Sequence, residues 1–298
     1  MEASGKRAVA FALLAASNLI WAGNWVMGRG LRDAIDPVSL NFLRWAIAVV
    51  VLAPFAFLDV RKNFAVIRRN LGLLLVLALT GVTLFHAMVY QGLRTTTAVN
   101  GVLLNSSLPL FILLCSWVLE RERATARQFA GMLLSFAGIL VIMSHGELAR
   151  LREFEFHVGD AWILVAMPIW GIYAVLLKRR PAELGGVTFL FVIAVLGAAM
   201  LIPPVLMNGL VLPDGPRETA GVLYIGFGAS ILAFICWNRG TAMVGANAAG
   251  FTLHLLPAFG TVLAIVFLGE AFALFHAVGI AVIVAGVVMA TTVTRKRS

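Results

Sequence analysis

Long apolar runs recur at short intervals from one end of the chain to the other. Each runs to roughly 20 residues, the length of α-helix needed to cross the hydrocarbon core of a bilayer. The runs predict spans near 8–28, 38–58, 70–91, 97–119, 127–144, 159–177, 186–207, 219–238, 245–268 and 272–293. The expected fold is therefore an all-α integral membrane protein of ten transmembrane helices. The connections are short, and none has room for a soluble domain. Lys6-Arg7 followed by an apolar stretch resembles a signal peptide. That stretch is too long for a typical cleaved segment and more spans follow it, so it reads as the first helix.

Composition agrees with this pattern. Of 298 residues 61% are hydrophobic and 12% charged, about half the charged share of an ordinary soluble domain. A single soluble core of this size has too little interior to hide that much apolar side chain. The net charge of +9 raises the question of nucleic acid. The basic residues, however, sit in short clusters between apolar runs rather than along one face, which is the membrane pattern. No nucleic-acid partner is expected; the lipid bilayer is.

The clusters also orient the chain. With a cytoplasmic N-terminus, the inside segments hold Lys6, Arg7, Arg61, Lys62, Arg68, Arg69, Arg121, Arg123, Arg127, Lys178, Arg179, Arg180, Arg239, Arg295, Lys296 and Arg297. The outside segments hold Arg29, Arg32, Arg94, Arg150, Arg152 and Arg217. Arg44 alone falls inside a span. Cytoplasmic loops carry the excess of Lys and Arg, so both termini are expected in the cytoplasm.

An internal repeat underlies the ten runs. Ile20-Trp21 matches Ile169-Trp170, Val38-Ser39 matches Val187-Thr188, and Leu52-Ala53-Pro54 matches Leu201-Ile202-Pro203, all at an offset of 149. Further on the offset is 148: Gln91-Gly92 with Arg239-Gly240, Leu108-Pro109-Leu110-Phe111 with Leu256-Pro257-Ala258-Phe259, Glu122 with Glu270, Gly131 with Gly279 and Gly138 with Gly286. This divides the chain into two five-helix repeats, 1–148 and 149–298. Five is odd, so the second half must enter the membrane from the other side. Inverted repeats related by an axis in the membrane plane are a recurrent architecture of secondary transporters, with the solute site between the halves near the midplane.

The tail of each half, with the opening Trp21-Ala22-Gly23-Asn24-Trp25 and the span-borne Arg44, resembles the drug/metabolite transporter superfamily (EamA-type ten-helix carriers). Those tails are Leu108-Pro109-Leu110-Phe111 through Leu119-Glu120-Arg121-Glu122-Arg123, and Leu256-Pro257-Ala258-Phe259 through Leu268-Gly269-Glu270. Within the superfamily the chain is most similar to bacterial inner-membrane exporters of aromatic amino acids. The resemblance implies a carrier that exports small metabolites, amino acids among them, by alternating access. The first half departs from the pattern, with Arg121-Glu122 where the second has Gly269-Glu270.

Polar groups at membrane depth are costly unless paired or facing water, so each is a candidate for function. His86 and Tyr90 share a face of the third helix; Asn100 and Asn105 lie on the fourth; Trp21 and Asn24 lie on the first. In the second half Trp170 and Tyr173 repeat the spacing of Trp21 and Asn24. Trp237 and Asn238 lie on the eighth helix, and His254 on the ninth occupies the position of Ser106 in the repeat. The functional reading is a central cavity lined by aromatic rings with a few hydrogen-bonding groups, suited to a largely apolar, zwitterionic solute. The bland alternative has Trp and Tyr anchoring the membrane interfaces and Asn stitching helices together.

Arg44, roughly 10 Å from the outer end of its helix by helical rise, can snorkel, pair with a helix end or meet a substrate carboxylate. Glu122 and Glu270 begin the connections into the fifth and tenth helices, where a carboxylate favours the positive end of the next helix. Gly131/Gly138 and Gly279/Gly286 are seven apart and so share a face suited to close helix contact. Pro54, Pro109, Pro203 and Pro257 sit in or at the ends of spans as candidate hinges, or as packing. Cys115 and Cys236 offer neither a disulfide framework nor metal spacing. No cofactor, metal or obligatory protein partner is expected, only a small-molecule solute.

No Asp or Glu lies deep in a span, so the usual carboxylate proton relay is missing and any proton linkage falls to histidine. An intramembrane enzyme would need Asp-rich metal sites, paired carboxylates or a His-Glu motif, and no span carries one. A channel would need a continuous polar stripe. Neither reading fits.

Overall fold

The computed structural model describes residues 2–96, 101, 104–147, 156–268 and 273–292, and every element within them is helical. Among the described residues nine helices are long and apolar enough to cross a membrane, and a further apolar helix, Leu108–Glu120, is shorter. The principal helices are α1 (Glu2–Gly30), α2 (Pro37–Lys62), α3 (Leu71–Thr95), α4 (Leu108–Glu120), α5 (Ala126–Met143), α6 (Val158–Leu176), α7 (Gly186–Asn208), α8 (Pro216–Val244), α9 (Leu255–Leu268) and α10 (Leu274–Thr291).

Local chemistry sets the ends. Asp36 starts α2 by accepting from the Val38 and Ser39 amides, with Pro37 in the first turn where its missing N–H costs nothing. Thr125 and Gln128 form a capping box at the start of α5. The expectation that Glu122 would serve that helix end is therefore corrected. Its carboxylate instead accepts from Ser116 (3.2 Å), Lys178 (2.9 Å) and Asn247 (3.4 Å), tying the end of α4 to the end of α6 and to the approach to α9. Arg121 takes a left-handed backbone at the end of α4 (φ 57°), the position where the second half carries Gly269.

The fourth and ninth runs differ from the continuous helices expected over 97–119 and 245–268. The chain is helical at Leu104–Asn105, turns at Ser106–Ser107 and resumes as α4. In the second half it is helical over Ala246–Thr252, turns at Leu253–His254 and resumes as α9. Pro109 and Pro257 lie in the first turns of the resumed segments, where a residue without an N–H breaks no helical bond. They therefore start helices, in contrast to Pro54 and Pro203, which lie inside α2 and α7. Two further departures from α geometry match across the repeat. The Leu79–Leu84 stretch of α3 and the Tyr224–Leu232 stretch of α8 are wound as π-helix, a local widening that frees backbone groups and clusters at functional sites.

The packing is paired. α1 lies on α8 and α9, while α6, its counterpart, lies on α3 and α4; α2 lies on α7, and α5 on α10. The α5–α10 contact is backbone on backbone. A Cβ at Gly131 would fall 2.7 Å from the Gly286 carbonyl oxygen, and one at Gly138 the same distance from that of Gly279. Exposed leucine, valine and phenylalanine cover the outer faces of the helices, the surface that lipid solvates.

Candidate functional site

The interior holds an aromatic cluster assembled from both halves. Trp21 of α1 meets Trp170 of α6 edge to face, with centroids 5.2 Å apart, and Trp237 of α8 lies 5.4 Å from Trp21 and 5.8 Å from Trp170. Phe234 packs edge-on against Trp21, Trp45 and Trp170, and Phe85 lies 4.8 Å from Trp170. His86 stands among these rings, 6.0 Å from Trp45 and 6.3 Å from both Tyr90 and Trp170. Trp21 and Trp170 are therefore central rather than anchored at an interface. Each such pair contributes on the order of 1 kcal/mol beyond the area it buries.

Two tyrosine–asparagine bonds flank the cluster, with their roles exchanged. Tyr90 of α3 donates to Asn24 of α1 at 3.0 Å, and Tyr173 of α6 donates to Asn238 of α8 at 2.7 Å. Asn24 and Tyr173 occupy matching repeat positions, as do Tyr90 and Asn238. Each half thus ties the same two helices together with the same two side chains, in opposite order.

Arg44 is fully buried. Its Nε donates to Ser230 Oγ at 2.7 Å and its Nη1 to the Tyr90 hydroxyl at 2.8 Å, and its plane lies over Trp45 and Tyr90. Ser230 sits in the π-wound stretch of α8, and its own hydroxyl donates to Ile225 O at 2.9 Å. Arg44 therefore bridges the two halves behind the aromatic cluster. It does not snorkel, and among the described residues no carboxylate pairs with it.

At the centre a cavity of about 30 Å³ is lined by Trp21, Asn24, Trp25, Phe85, His86, Asn105, Leu108, Trp170, Leu253 and Leu256. Two breaks supply one wall: Asn105 precedes the first turn and Leu253 lies in the second, and Leu108 and Leu256 follow them. The breaks also touch. His254 Nε2 lies 2.9 Å from Ser106 O, its counterpart in the repeat, and Nδ1 is bonded to Ser135 Oγ. His254 is thus satisfied on both nitrogens and pins the two broken helices and α5 together. Asn100 lies outside the described residues.

Of the residues singled out from sequence, Trp21, Asn24, His86, Asn105 and Trp170 line the cavity. Tyr90, Arg44, Tyr173, Trp237 and Asn238 stand immediately around it. Sequence reasoning missed Phe85 and Phe234, ordinary phenylalanines with no polar signal, and Trp25, passed over beside Trp21. It also missed Asp160, fully buried in the first turn of α6, which accepts from Thr96 Oγ1 and from the His157 amide at 2.7 Å. Nearby, Arg29 donates to the carbonyls of Leu93 (2.6 Å) and Thr96 (2.7 Å) at the end of α3. These bonds tie α1, α3 and α6 together at that end of the molecule. The opposite end, where α1 begins and α10 finishes, opens into a vestibule of about 840 Å³ lined by Lys6, Arg7, Glu122, Arg127, Asn247 and Thr291, among others. Among the described residues no cluster of His, Cys, Asp and Glu is arranged to hold a metal.

Comparison with known proteins agrees with this architecture. The model of a family described as EamA-like transporters matches twice, over residues 7–144 and 157–292. An uncharacterized transporter of Archaeoglobus fulgidus is 32% identical over 94% of this chain and 96% of its own length. The YetK uncharacterized transporter of Bacillus subtilis is 26% identical over 98% of this chain and 89% of its own. A protein of Streptantibioticus cattleyicolor named "Probable terminal-alkyne amino-acid exporter" is 28% identical over 90% of this chain and 89% of its own. A solved crystal structure superposes with a TM-score of 0.73 at 22% identity, covering 97% of this chain and 96% of that one, and so shares the fold.

Proposed function

Because the chain belongs to the EamA-like transporter family, we propose that it is a secondary carrier exporting small metabolites, amino acids with aromatic side chains among them, by alternating access. It is a membrane transporter of many apolar helices. We assign it ten spans in two inverted five-helix repeats, 1–148 and 149–298, with both termini cytoplasmic in a bacterial inner membrane.

The observation that carries the reading is the meeting of repeat counterparts around one cavity. Trp21 touches Trp170, and Ser106 touches His254. Residues related by a two-fold axis can touch their own counterparts only beside that axis, so the cavity lies where two equivalent halves exchange places. The exchanged tyrosine–asparagine bonds and the crossed glycine pairs support the same antiparallel relation. The double match of the family model over 7–144 and 157–292 supports the division of the chain.

A space of about 30 Å³ has room for water but does not admit an amino acid as it stands. The rings of Trp21, Phe85 and Trp170 must part for a solute to enter. The bonds of Arg29, Thr96 and Asp160 at one end and the vestibule at the other support a conformation that faces the cytoplasm. The amino-acid assignment is supported by the exporter from Streptantibioticus cattleyicolor and by a cavity of aromatic rings with few polar groups.

Counterflow in proteoliposomes tests the proposal. Vesicles loaded with unlabelled phenylalanine, tryptophan or threonine are expected to accumulate the labelled amino acid transiently and saturably. If all three are inert while a sugar or nucleotide is exchanged, the substrate reading falls.

A further inference from the structure

The polar groups around the central cavity are unbalanced. Their acceptors are engaged: Asn24 Oδ1 by Tyr90, Asn238 Oδ1 by Tyr173, and Ala229 O by the Trp21 indole at 3.1 Å. Donors are left over. Trp170 Nε1 and Asn105 Nδ2, on side chains only 2% exposed that line the cavity, have no partner. Arg44 Nη2 behind them is also unpartnered, and among the described residues no carboxylate pairs with that buried cation. A buried donor without an acceptor is costly, and a buried cation without an anion more so. Among the described residues no Asp or Glu lines the cavity.

The backbone adds to the same bias. α4 and α9, of 13 and 14 residues, both begin at the cavity wall, with Leu108 and Leu256 in their first turns. The positive ends of two half-helices therefore converge there, one from each repeat, a device by which broken membrane helices meet anionic groups of a solute.

We infer that the site recognises its solute through a carboxylate, held by the Trp170 and Asn105 N–H groups between the starts of α4 and α9, and that the solute's amino group is not required. This rests on the carrier reading. The ring cluster takes the apolar body of the solute, and Arg44, acting through the Tyr90 hydroxyl, supplies the balancing charge. The transported class is then apolar and aromatic carboxylates, amino acids being one case, while amines lacking an acid group are rejected.

The test uses four matched probes on the purified full-length chain: phenylalanine, 3-phenylpropanoate, 2-phenylethylamine and phenylalaninamide. Thermal stabilisation and competition in phenylalanine counterflow are read for each. Phenylalanine and 3-phenylpropanoate are expected to stabilise and compete, with the amine and the amide at least about tenfold weaker, the fold-change of one charge-assisted bond. Trp170→Phe, which keeps a ring and removes the N–H, is expected to erase most of that preference; Asn105→Leu provides an independent second change. If the amine or the amide competes as well as the acid, the inference is overturned while the carrier reading stands. If the zwitterion alone competes, the dispensable amino group is overturned. If none of the four binds and no amino acid exchanges, both readings fall.

Discussion

Trp21 and Trp170 meet edge to face, with ring centroids 5.2 Å apart and planes at 87°, although 149 positions separate them in the chain. They occupy matching positions at the 149 offset, so on the proposed inverted-repeat reading their contact marks the axis between the halves. Replacing one ring with a smaller one leaves a gap on that axis. Trp21→Ala is expected to cost about 3–5 kcal/mol of stability, as for other large-to-small changes in a packed interior. Trp170→Phe should cost far less. Thermal unfolding of the purified variants, followed by size-exclusion fluorescence, measures both.

The two tyrosine–asparagine bonds are equivalent in geometry but not in surroundings. Tyr173→Phe leaves Asn238 Oδ1 unpaired, at a cost of about 1–3 kcal/mol. Tyr90→Phe leaves Asn24 Oδ1 unpaired and also removes the acceptor for Arg44 Nη1. Tyr90→Phe is therefore expected to lower the unfolding temperature more than Tyr173→Phe. Equal losses would show that Arg44 draws nothing from Tyr90.

Arg44 bridges Ser230 of one half and Tyr90 of the other with separate nitrogens. A lysine offers one ammonium in place of that fork. Arg44→Lys is expected to fold but to exchange amino acids at least tenfold more slowly, and Arg44→Met to lose exchange altogether. Counterflow rates normalised to folded protein decide the matter.

α5 and α10 touch through backbone. A methyl at Gly286 would fall 2.6 Å from the Gly131 carbonyl oxygen and 2.7 Å from Ser135 Cβ. Gly286→Ala is expected to destabilise by about 1–3 kcal/mol, the usual cost of overpacking. Gly72 meets nothing within 4 Å, so Gly72→Ala serves as the neutral comparison. Arg121→Gly works in the opposite direction: relieving the left-handed backbone at that residue (φ 57°) should stabilise by about 1 kcal/mol. Both are read from the unfolding temperature.

Orientation is open to a direct check. With the native cysteines replaced by serine, Asp214→Cys is expected to react with a membrane-impermeant maleimide in intact cells. Lys62→Cys should react only after permeabilisation. The reverse pattern would invert the assigned topology.

Span positions, their charge bias and the 148–149 offset were all legible in the chain. Each rests on a one-dimensional quantity: run length, charge count and register. The polar candidates were legible because a buried polar group in lipid is costly wherever it falls. The role of each was not. His254 and His86 look alike along the chain. Yet His254 has both nitrogens engaged by Ser106 and Ser135, whereas His86 lines the cavity among the rings of Trp45, Tyr90 and Trp170. Phe85 and Phe234 carried no mark at all, because an apolar residue in an apolar run is indistinguishable from those that face lipid.

Sequence by itself determined that this chain lives in a membrane, that its halves carry matching residues at one near-constant offset, and which family it resembles. Hydrophobic transfer and duplication act along the chain and leave their trace in it. Only the tertiary structure decided that Trp21 meets Trp170, that the fourth and ninth runs break beside one another, and that the Trp170 and Asn105 donors are left unpaired at the centre. Those are properties of pairs of groups brought together from distant positions, and which acceptor satisfies which donor is settled by packing.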